Sequence, residues 1–353
     1  MTEKILVIHQ GALGDLVLNF PALVSLKQEK KASVALLCSS DPGKIAHELN
    51  VVDVHFSLES ARFCSLFHEE MTPVVKEFIS DYDTIISISF SDAIESHLRQ
   101  NHGGKVHKIS PRPPVEEETH VAFHMMRQMQ AKGLLDECGL RIVDTKCNVF
   151  KPSGTTLGEI ENRKSKIRGL RRKNVIIMHP GAGSPRKRWP VENFVQVATI
   201  IRGMNLGEVV FVVGPAESDL APFIKARQKG GFRVYEVCDL SHVMVLVQQA
   251  RCFVGNDSGV THLAAFMGTP TVAIFGPSSP KRWAPVGRAT KVLRGAADCA
   301  PCFEMDGVDC KDPQCLSGVS VDMVLDAVRE ITLVSQDQTN KKPVTNCEVI
   351  YHD

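Results

Sequence analysis

The sequence predicts an α/β protein of two domains, each built on a parallel sheet with helices on both faces. Three observations predict it. Short apolar, β-branched runs alternate with amphipathic runs, the pattern of strands buried on both faces and separated by helices. The same alternation recurs in each half of the chain, on either side of a basic stretch. The length, 353 residues, suggests two domains at roughly 100–200 residues each.

In the first half the strand candidates are Lys4–His9, Ser33–Cys38, Val51–Ser57 and Thr84–Ser89. Helix candidates lie between them, near Asp15–Gln28, Pro42–Leu49, Glu70–Ser80 and Asp92–Arg99. Pro21 falls inside the first helix pattern and is expected to start a turn of it or to kink it. In the second half Val175–Met178, Val209–Val213, Arg233–Val237, Cys252–Val254 and Thr271–Phe275 read as strands. Helices are expected near Val191–Gly203, Glu217–Gln228, Ser241–Ala250 and Val260–Met267, with a final one over Val321–Ile331.

These patterns place one domain at 1–150, a basic linker at 151–173, a second domain at 174–334 and a polar tail at 335–353. The linker concentrates Arg163, Lys164, Lys166, Arg168, Arg171, Arg172 and Lys173. Charge runs usually face water. The functional alternative is a patch for anionic lipid or saccharide phosphates.

Composition excludes several classes. Lys plus Arg number 41 against 40 Asp plus Glu, a net charge of +1. Phosphate affinity needs a basic excess, so no nucleic-acid partner is expected. Aromatic residues make up only 6%, which disfavours a stacking platform for single strands. No secretory signal and no uninterrupted apolar run of about 18 residues is present. A cytoplasmic location is therefore expected, with peripheral membrane contact left open. In that reducing setting, clustered cysteines point to metal more often than to disulfides.

Three loops carry candidate chemistry. Gly11-Ala12-Leu13-Gly14-Asp15 follows the first strand. Glycines there let a ligand approach the backbone, and Asp15 reads either as a helix cap or as a general base at a strand's carboxyl end. His179-Pro180-Gly181-Ala182-Gly183-Ser184 ends another strand and leads into Arg186-Lys187-Arg188-Trp189-Pro190. Backbone amides and Lys187 suit an anion. Asn256-Asp257-Ser258-Gly259-Val260-Thr261-His262 passes from a strand into a helix whose first amides lack partners. His262 reads as a satisfied core histidine or as a site residue one turn in.

Cys299, Cys302, Cys310 and Cys315 form a Cys-x2-Cys-x7-Cys-x4-Cys cluster. Its ligand count suits a structural zinc. Free thiols, disulfides or an iron–sulfur centre are the alternatives. With no His in the cluster, a catalytic zinc is not expected. The other cysteines read as small buried hydrophobes or surface thiols.

In this order the three loops resemble glycosyltransferase family 9, the ADP-heptose:lipopolysaccharide heptosyltransferases. The family's Gly-Asp loop and helix proline appear as Gly14-Asp15 and Pro21. Its small-residue loop and basic-Trp-Pro segment appear as His179–Gly183 and Lys187–Pro190. Its strongest signature is matched by Asp257 to Ala265 and by Gly268 to Pro277. Ala264 and Ala265 stand one position nearer His262 than that signature puts them. His9 stands where many members have Arg or Lys.

The resemblance implies a GT-B fold, two Rossmann-like domains with parallel sheets facing across a cleft. It implies an inverting glycosyltransferase that needs no metal for catalysis. The donor would be a nucleotide sugar, ADP-heptose, and the acceptor an inner-core lipopolysaccharide precursor. Asp15 would be the base, with Gly14 and His9 on the acceptor side. Lys187 would hold the diphosphate with Gly181, Gly183, Ser258 and Gly259. Asp257 and His262 would orient that loop or touch the donor, and Glu217 would bond the ribose, with Asp219 fitting nearly as well. Another donor sugar or surface glycan is the enzyme alternative. A non-catalytic sugar-nucleotide-binding or redox-sensing protein is the alternative of another class.

Overall fold

The computed structural model describes residues 2–68, 70–136, 174–237, 239–305, 310 and 312–337. The chain divides into two compact units, Met1–Ser153 and Gly154–Asp353. The basic stretch at 163–173 and the tail from 338 lie outside the described residues.

The first unit runs β1 (Lys4–His9), α1 (Leu13–Lys30), β2 (Ser33–Cys38), α2 (Ser40–Glu48) and β3 (Val54–Ser57). It continues with α3 (Pro73–Ser80), β4 (Thr84–Ile88), α4 (Asp92–Asn101), β5 (Lys105–Ile109) and α5 (Val121–Ala131). The strands form a parallel sheet in the order β3-β2-β1-β4-β5. The order reverses direction between β1 and β4, so the crevice at their carboxyl ends is the natural ligand position.

Ile5, Leu6, Val7 and Ile8 of β1 are all buried, each worth roughly 1.5–3 kcal/mol against exposure. Leu6 and Ile8 pack with Phe63, Val75, Phe78 and Ile79 on one face of the sheet. Pro21 lies inside α1, and the helix runs through it. Because Pro lacks an amide hydrogen, the Val17 carbonyl has no helical donor. The surrounding buried residues, Leu16 to Leu23, offset that cost.

Local chemistry explains where elements differ from the sequence pattern. Asn50 takes φ +56°, and Val51 N–H donates to Ala46 O at 2.9 Å, so Val51–Asp53 close the end of α2. The strand therefore begins at Val54. Pro73 opens α3 in place of Glu70 because its fixed φ suits a first turn. β5 and α5 have no counterpart among the expected elements. β5, KVHKI, is an edge strand with charged residues that break the apolar run. α5 buries Met125, Met126 and Met129.

The second unit runs β6 (Val175–His179), α6 (Val191–Gly203), β7 (Glu208–Val213), α7 (Ala221–Lys225), β8 (Arg233–Glu236) and α8 (Leu240–Gln249). Then come β9 (Cys252–Asn256), α9 (Gly259–Phe266), β10 (Thr271–Phe275), α10 (Pro280–Trp283), β11 (Thr290–Arg294), α11 (Gln314–Ser317) and α12 (Val321–Asp337). The parallel sheet has the order β11-β10-β9-β6-β7-β8. Its switch point lies between β9 and β6.

Trp189, Phe194 and Phe211 anchor the core on one face, and α12 closes it with Val324, Ala327 and Val328. The opposite face is formed by Ile177, Val210, Val212 and Phe253. The helix expected over Glu217–Gln228 is interrupted: Pro215–Glu217 make a 3₁₀ turn and α7 spans only Ala221–Lys225. α12 runs past Ser335, where the sequence pattern starts the polar tail. β11 has no counterpart among the expected strands, because Lys291 breaks its pattern; the side chain is buried and ion-paired with Glu330.

Candidate active site

At the first switch point, β1 ends in His9 and Ala12 caps α1. Asp15 Oδ2 accepts the Ala12 amide hydrogen at 3.1 Å. The carboxylate thus does the work of a cap, satisfying one of the unpaired amides of a helix start. It is only partly buried, at the carboxyl end of a central strand. Gly14 lies one residue before it, inside the first turn.

His9 is 1% exposed, and Nδ1 has no hydrogen-bond partner among the described residues. Burial lowers its pKa to about 4, so the ring is neutral near pH 7. A Cβ on Gly11 would stand 2.7 Å from His9 Cε1 and 2.9 Å from Asp15 Cβ. Gly11 is therefore required by close approach, and the loop packs between the two side chains. His9 supports the loop from below and offers no charge to an anion.

At the second switch point, the ends of β6 and β9 bring two of the sequence's candidate loops together. Asn256 ties them. Its Nδ2 donates to Pro180 O at 2.8 Å, and its Oδ1 accepts from Trp189 N–H at 3.0 Å. Thr261 Oγ1–H in turn donates to Asn256 O at 2.6 Å. Asn256 and Thr261 belong to the motif, yet sequence reasoning gives them no role. The available signal is their type, a buried amide and hydroxyl in a turn between apolar elements.

Lys187 reaches Asp257 across this junction, with Nζ 2.8 Å from Oδ2. His262 Nε2–H donates to Asp257 Oδ1 at 3.4 Å. Asp257 is 4% exposed. Burial alone would raise its pKa, but the His262 hydrogen bond and the Lys187 charge win and hold the carboxyl well below its usual range. The His262 ring is buried, and its Nδ1 has no partner among the described residues.

Ser258 caps α9, its Oγ accepting the Thr261 amide hydrogen at 3.4 Å. The amides of Gly259 and Val260 precede that position and have no carbonyl a turn behind them within the helix. They and the helix dipole favour an anion beside Lys187.

Gly181 and Glu217 also meet. A Cβ on Gly181 would lie 2.1 Å from Glu217 Oε1. Glu217 is 5% exposed, and its Oε2 accepts from Gly214 N–H at 2.8 Å. Asp219, the other candidate, instead pairs with Arg188 at 2.9 Å. No atom of the described residues lies within 4 Å of a Cβ on Gly183. Below the loop, burial lowers the pKa of His179, although the Glu217 charge and the bond to Val212 O oppose it.

Among the clustered cysteines, Cys302 and Cys315 are buried, Cys310 is partly buried and Cys299 is exposed. Burial raises the Cys315 thiol pKa, and the neighbouring Cys302, Cys299 and Cys310 raise it further. The four side chains therefore share one neighbourhood. An all-thiol set would suit zinc chemically. However, among the described residues no group of three or more His, Cys, Asp and Glu is arranged to hold a metal ion.

Comparisons with known proteins relate the chain to one family and one fold. The model of glycosyltransferase family 9 (heptosyltransferase) matches residues 143–310. Lipopolysaccharide heptosyltransferase 2 of Salmonella typhimurium is 30% identical over 122 residues, 33% of this chain and 34% of that protein. The chain thus spans about a third of that curated relative's length. A putative glycosyltransferase of Haemophilus influenzae is 24% identical over 338 residues, 85% of this chain and 90% of that one. The structure of E. coli ADP-heptose lipopolysaccharide heptosyltransferase II superposes with a TM-score of 0.69 at 18% identity, covering 94% of this chain and 99% of that one. The fold class is accordingly GT-B, with two Rossmann-like parallel-sheet domains.

Proposed function

We propose, from the match of residues 143–310 to the model of glycosyltransferase family 9, that this chain moves a sugar from a nucleotide-sugar donor to a lipopolysaccharide precursor. The donor of this reading is ADP-heptose and the acceptor lies in the inner core. The observation that carries it is the Lys187–Asp257–His262 constellation at the β6–β9 switch point.

The chemistry follows from the residues. The diphosphate leaving group gains negative charge as the glycosidic bond breaks. Lys187 and the amides of Gly259 and Val260 stabilise that charge. Asp257 fixes the ammonium, and its own low pKa keeps it ionised throughout. Glu217, packed on Gly181, accepts hydrogen bonds from the ribose hydroxyls. In this reading Asp15 is the base that takes the proton from the acceptor hydroxyl as its oxygen bonds to the anomeric carbon and the diphosphate leaves, with inversion as the expected outcome. All of these groups are supplied by the chain itself.

The test is release of ADP from ADP-heptose with a lipid A–Kdo acceptor, beside the same assay with UDP- and GDP-sugars. Release of the nucleoside diphosphate from ADP-heptose, and not from the UDP- or GDP-sugars, supports the reading. Absence of binding to any nucleotide sugar overturns it.

A second reading keeps the reaction and changes the acceptor. It is favoured by His9, buried and neutral where many members of the family have a cation. An uncharged acceptor hydroxyl region then replaces an anionic one. An acceptor screen that includes neutral outer-core oligosaccharides separates the two. For a location, among the described residues no helix is long and apolar enough to cross a membrane. Peripheral contact with the inner membrane is part of this proposal and is tested by co-sedimentation with anionic vesicles.

A further inference from the structure

Phe303 lies next to Cys302 in the cysteine segment, outside every residue assigned a role above. Its ring centroid is 4.2 Å from Lys187 Nζ and 5.6 Å from Arg186 Cζ. A cation at that distance from an aromatic face is held by the ring's quadrupole.

The ring is moored from both sides. The Pro277 carbonyl, just beyond β10, accepts both the Cys302 and the Phe303 amide hydrogens at 2.9 Å. The next residue, Glu304, is ion-paired with the buried Arg282 at 2.9 Å. Cys302 is itself buried, with Sγ 3.8 Å from Arg186 Nη2. The segment therefore reaches back over the cationic loop and presents one aromatic face to it.

We propose that Phe303 is a positioning residue for Lys187, and that fixing this ring over the cationic loop is what the cysteine segment contributes to donor binding. This rests on the reading of Lys187 as the diphosphate cation. The ring and Asp257 hold the ammonium between them. An aromatic face attracts the charge without providing a lone-pair acceptor. The ammonium hydrogens are then left for Asp257 and for phosphate oxygens of a nucleoside diphosphate. The cation is placed before the ligand arrives, which removes an ordering cost from binding.

The experiment is calorimetric titration of ADP into the full chain, comparing wild type with Phe303→Leu, Phe303→Tyr, Lys187→Met and the Phe303→Leu/Lys187→Met pair. Leu fills similar space without a ring, and Tyr keeps the face. Phe303→Leu is expected to weaken ADP binding about three- to tenfold, with the donor KM rising and kcat little changed. Phe303→Tyr restores the affinity. In the Lys187→Met background, the Leu substitution adds no further loss, because its partner is gone.

An equal loss in both backgrounds assigns Phe303 to packing and overturns the inference, as does wild-type affinity in Phe303→Leu. Wild-type protein that binds no ADP overturns the family reading beneath it. Lys187→Met that binds ADP like wild type overturns the role of Lys187 and, with it, that of Phe303, while leaving the family reading in place.

Discussion

Lys187 and Asp257 lie far apart in the chain and 2.8 Å apart in space, in the segments that follow β6 and β9, the strands flanking the switch point of the second sheet. Asp257 is almost wholly enclosed, whereas Lys187 keeps about a fifth of its side chain open. The carboxylate is the enclosed partner, and the ammonium is the more exposed one.

Replacing Lys187 by Met strands that buried charge. Removing one partner of a fully buried pair costs about 3–5 kcal/mol; the partial exposure of Lys187 reduces this to about 2 kcal/mol. The same variant is expected to raise the donor KM about tenfold or more. The depressed Asp257 pKa gives a sign to the pH dependence. Its stabilisation is present above the unfolded carboxyl value, about pH 4, and is lost as pH falls further toward the folded value. Urea midpoints from about pH 2 to 7 are expected to show a shallower acid limb in Lys187→Met.

Asp15 has an observed role as a cap and a proposed role as the base, and substitution separates the two. Asp15→Asn keeps an oxygen for the Ala12 amide but cannot take a proton. It is expected to melt near the wild-type temperature while turnover falls about 10²–10⁴-fold. Asp15→Ala loses the cap as well and drops stability by about 1 kcal/mol. Turnover retained by both variants assigns Asp15 to the cap alone.

His9 titrates in the unfolded chain near 6.5 and in the fold near 4. Its contribution is present above pH 6.5 and is lost progressively as pH falls from there toward 4. The sum is about 3 kcal/mol by linkage, with buried His179 acting in the same direction. His9→Gln removes one titrating group. Chemical denaturation at about pH 7.5 and about pH 4.5 is expected to show a smaller difference in the variant than in wild type.

Two glycines of one loop are predicted to behave differently. Gly181→Ala drives a methyl into the Glu217 carboxylate, which is held by Gly214. It is expected to cost about 1–3 kcal/mol and to weaken ADP binding through the displaced Glu217. Gly183→Ala meets no atom of the described residues within 4 Å and should leave the melting temperature unchanged. Thermal melts of both variants, with and without ADP, check the contrast.

The four-cysteine expectation has its own measurement. If the thiols form a zinc cage, protein purified without chelator carries one zinc per chain and the four resist thiol reagents. Four titratable thiols and no zinc leave them to hold the segment that bears Phe303.

Much of this protein is legible in its residues. The runs at Lys4–His9, Ser33–Cys38 and Thr271–Phe275 are continuous and apolar because both sheet faces are covered, so their pattern alone declares them. β5 and β11 escape for the opposite reason. They are edge strands in which charged side chains interrupt the run, and Lys291 is accepted inside only because Glu330 pairs with it. Similarly, Glu217 and Asp219 are near-equal candidates by spacing. Packing separates them, with Glu217 enclosed against Gly181 and Asp219 turned to Arg188.

The sequence by itself determined the class of fold, the three glycine-bearing loops and the residue types that suit an anion. Those are local properties, set by periodicity and by the ends of strands. Only the tertiary structure decided which of those groups meet. Strand order put β6 beside β9, and through them Lys187 beside Asp257. Burial made His9 neutral. The return of the cysteine segment to the Pro277 carbonyl put Phe303 over Lys187. Charge, hydrogen bonding and desolvation act over a few ångströms of space, and distance along the chain does not report them.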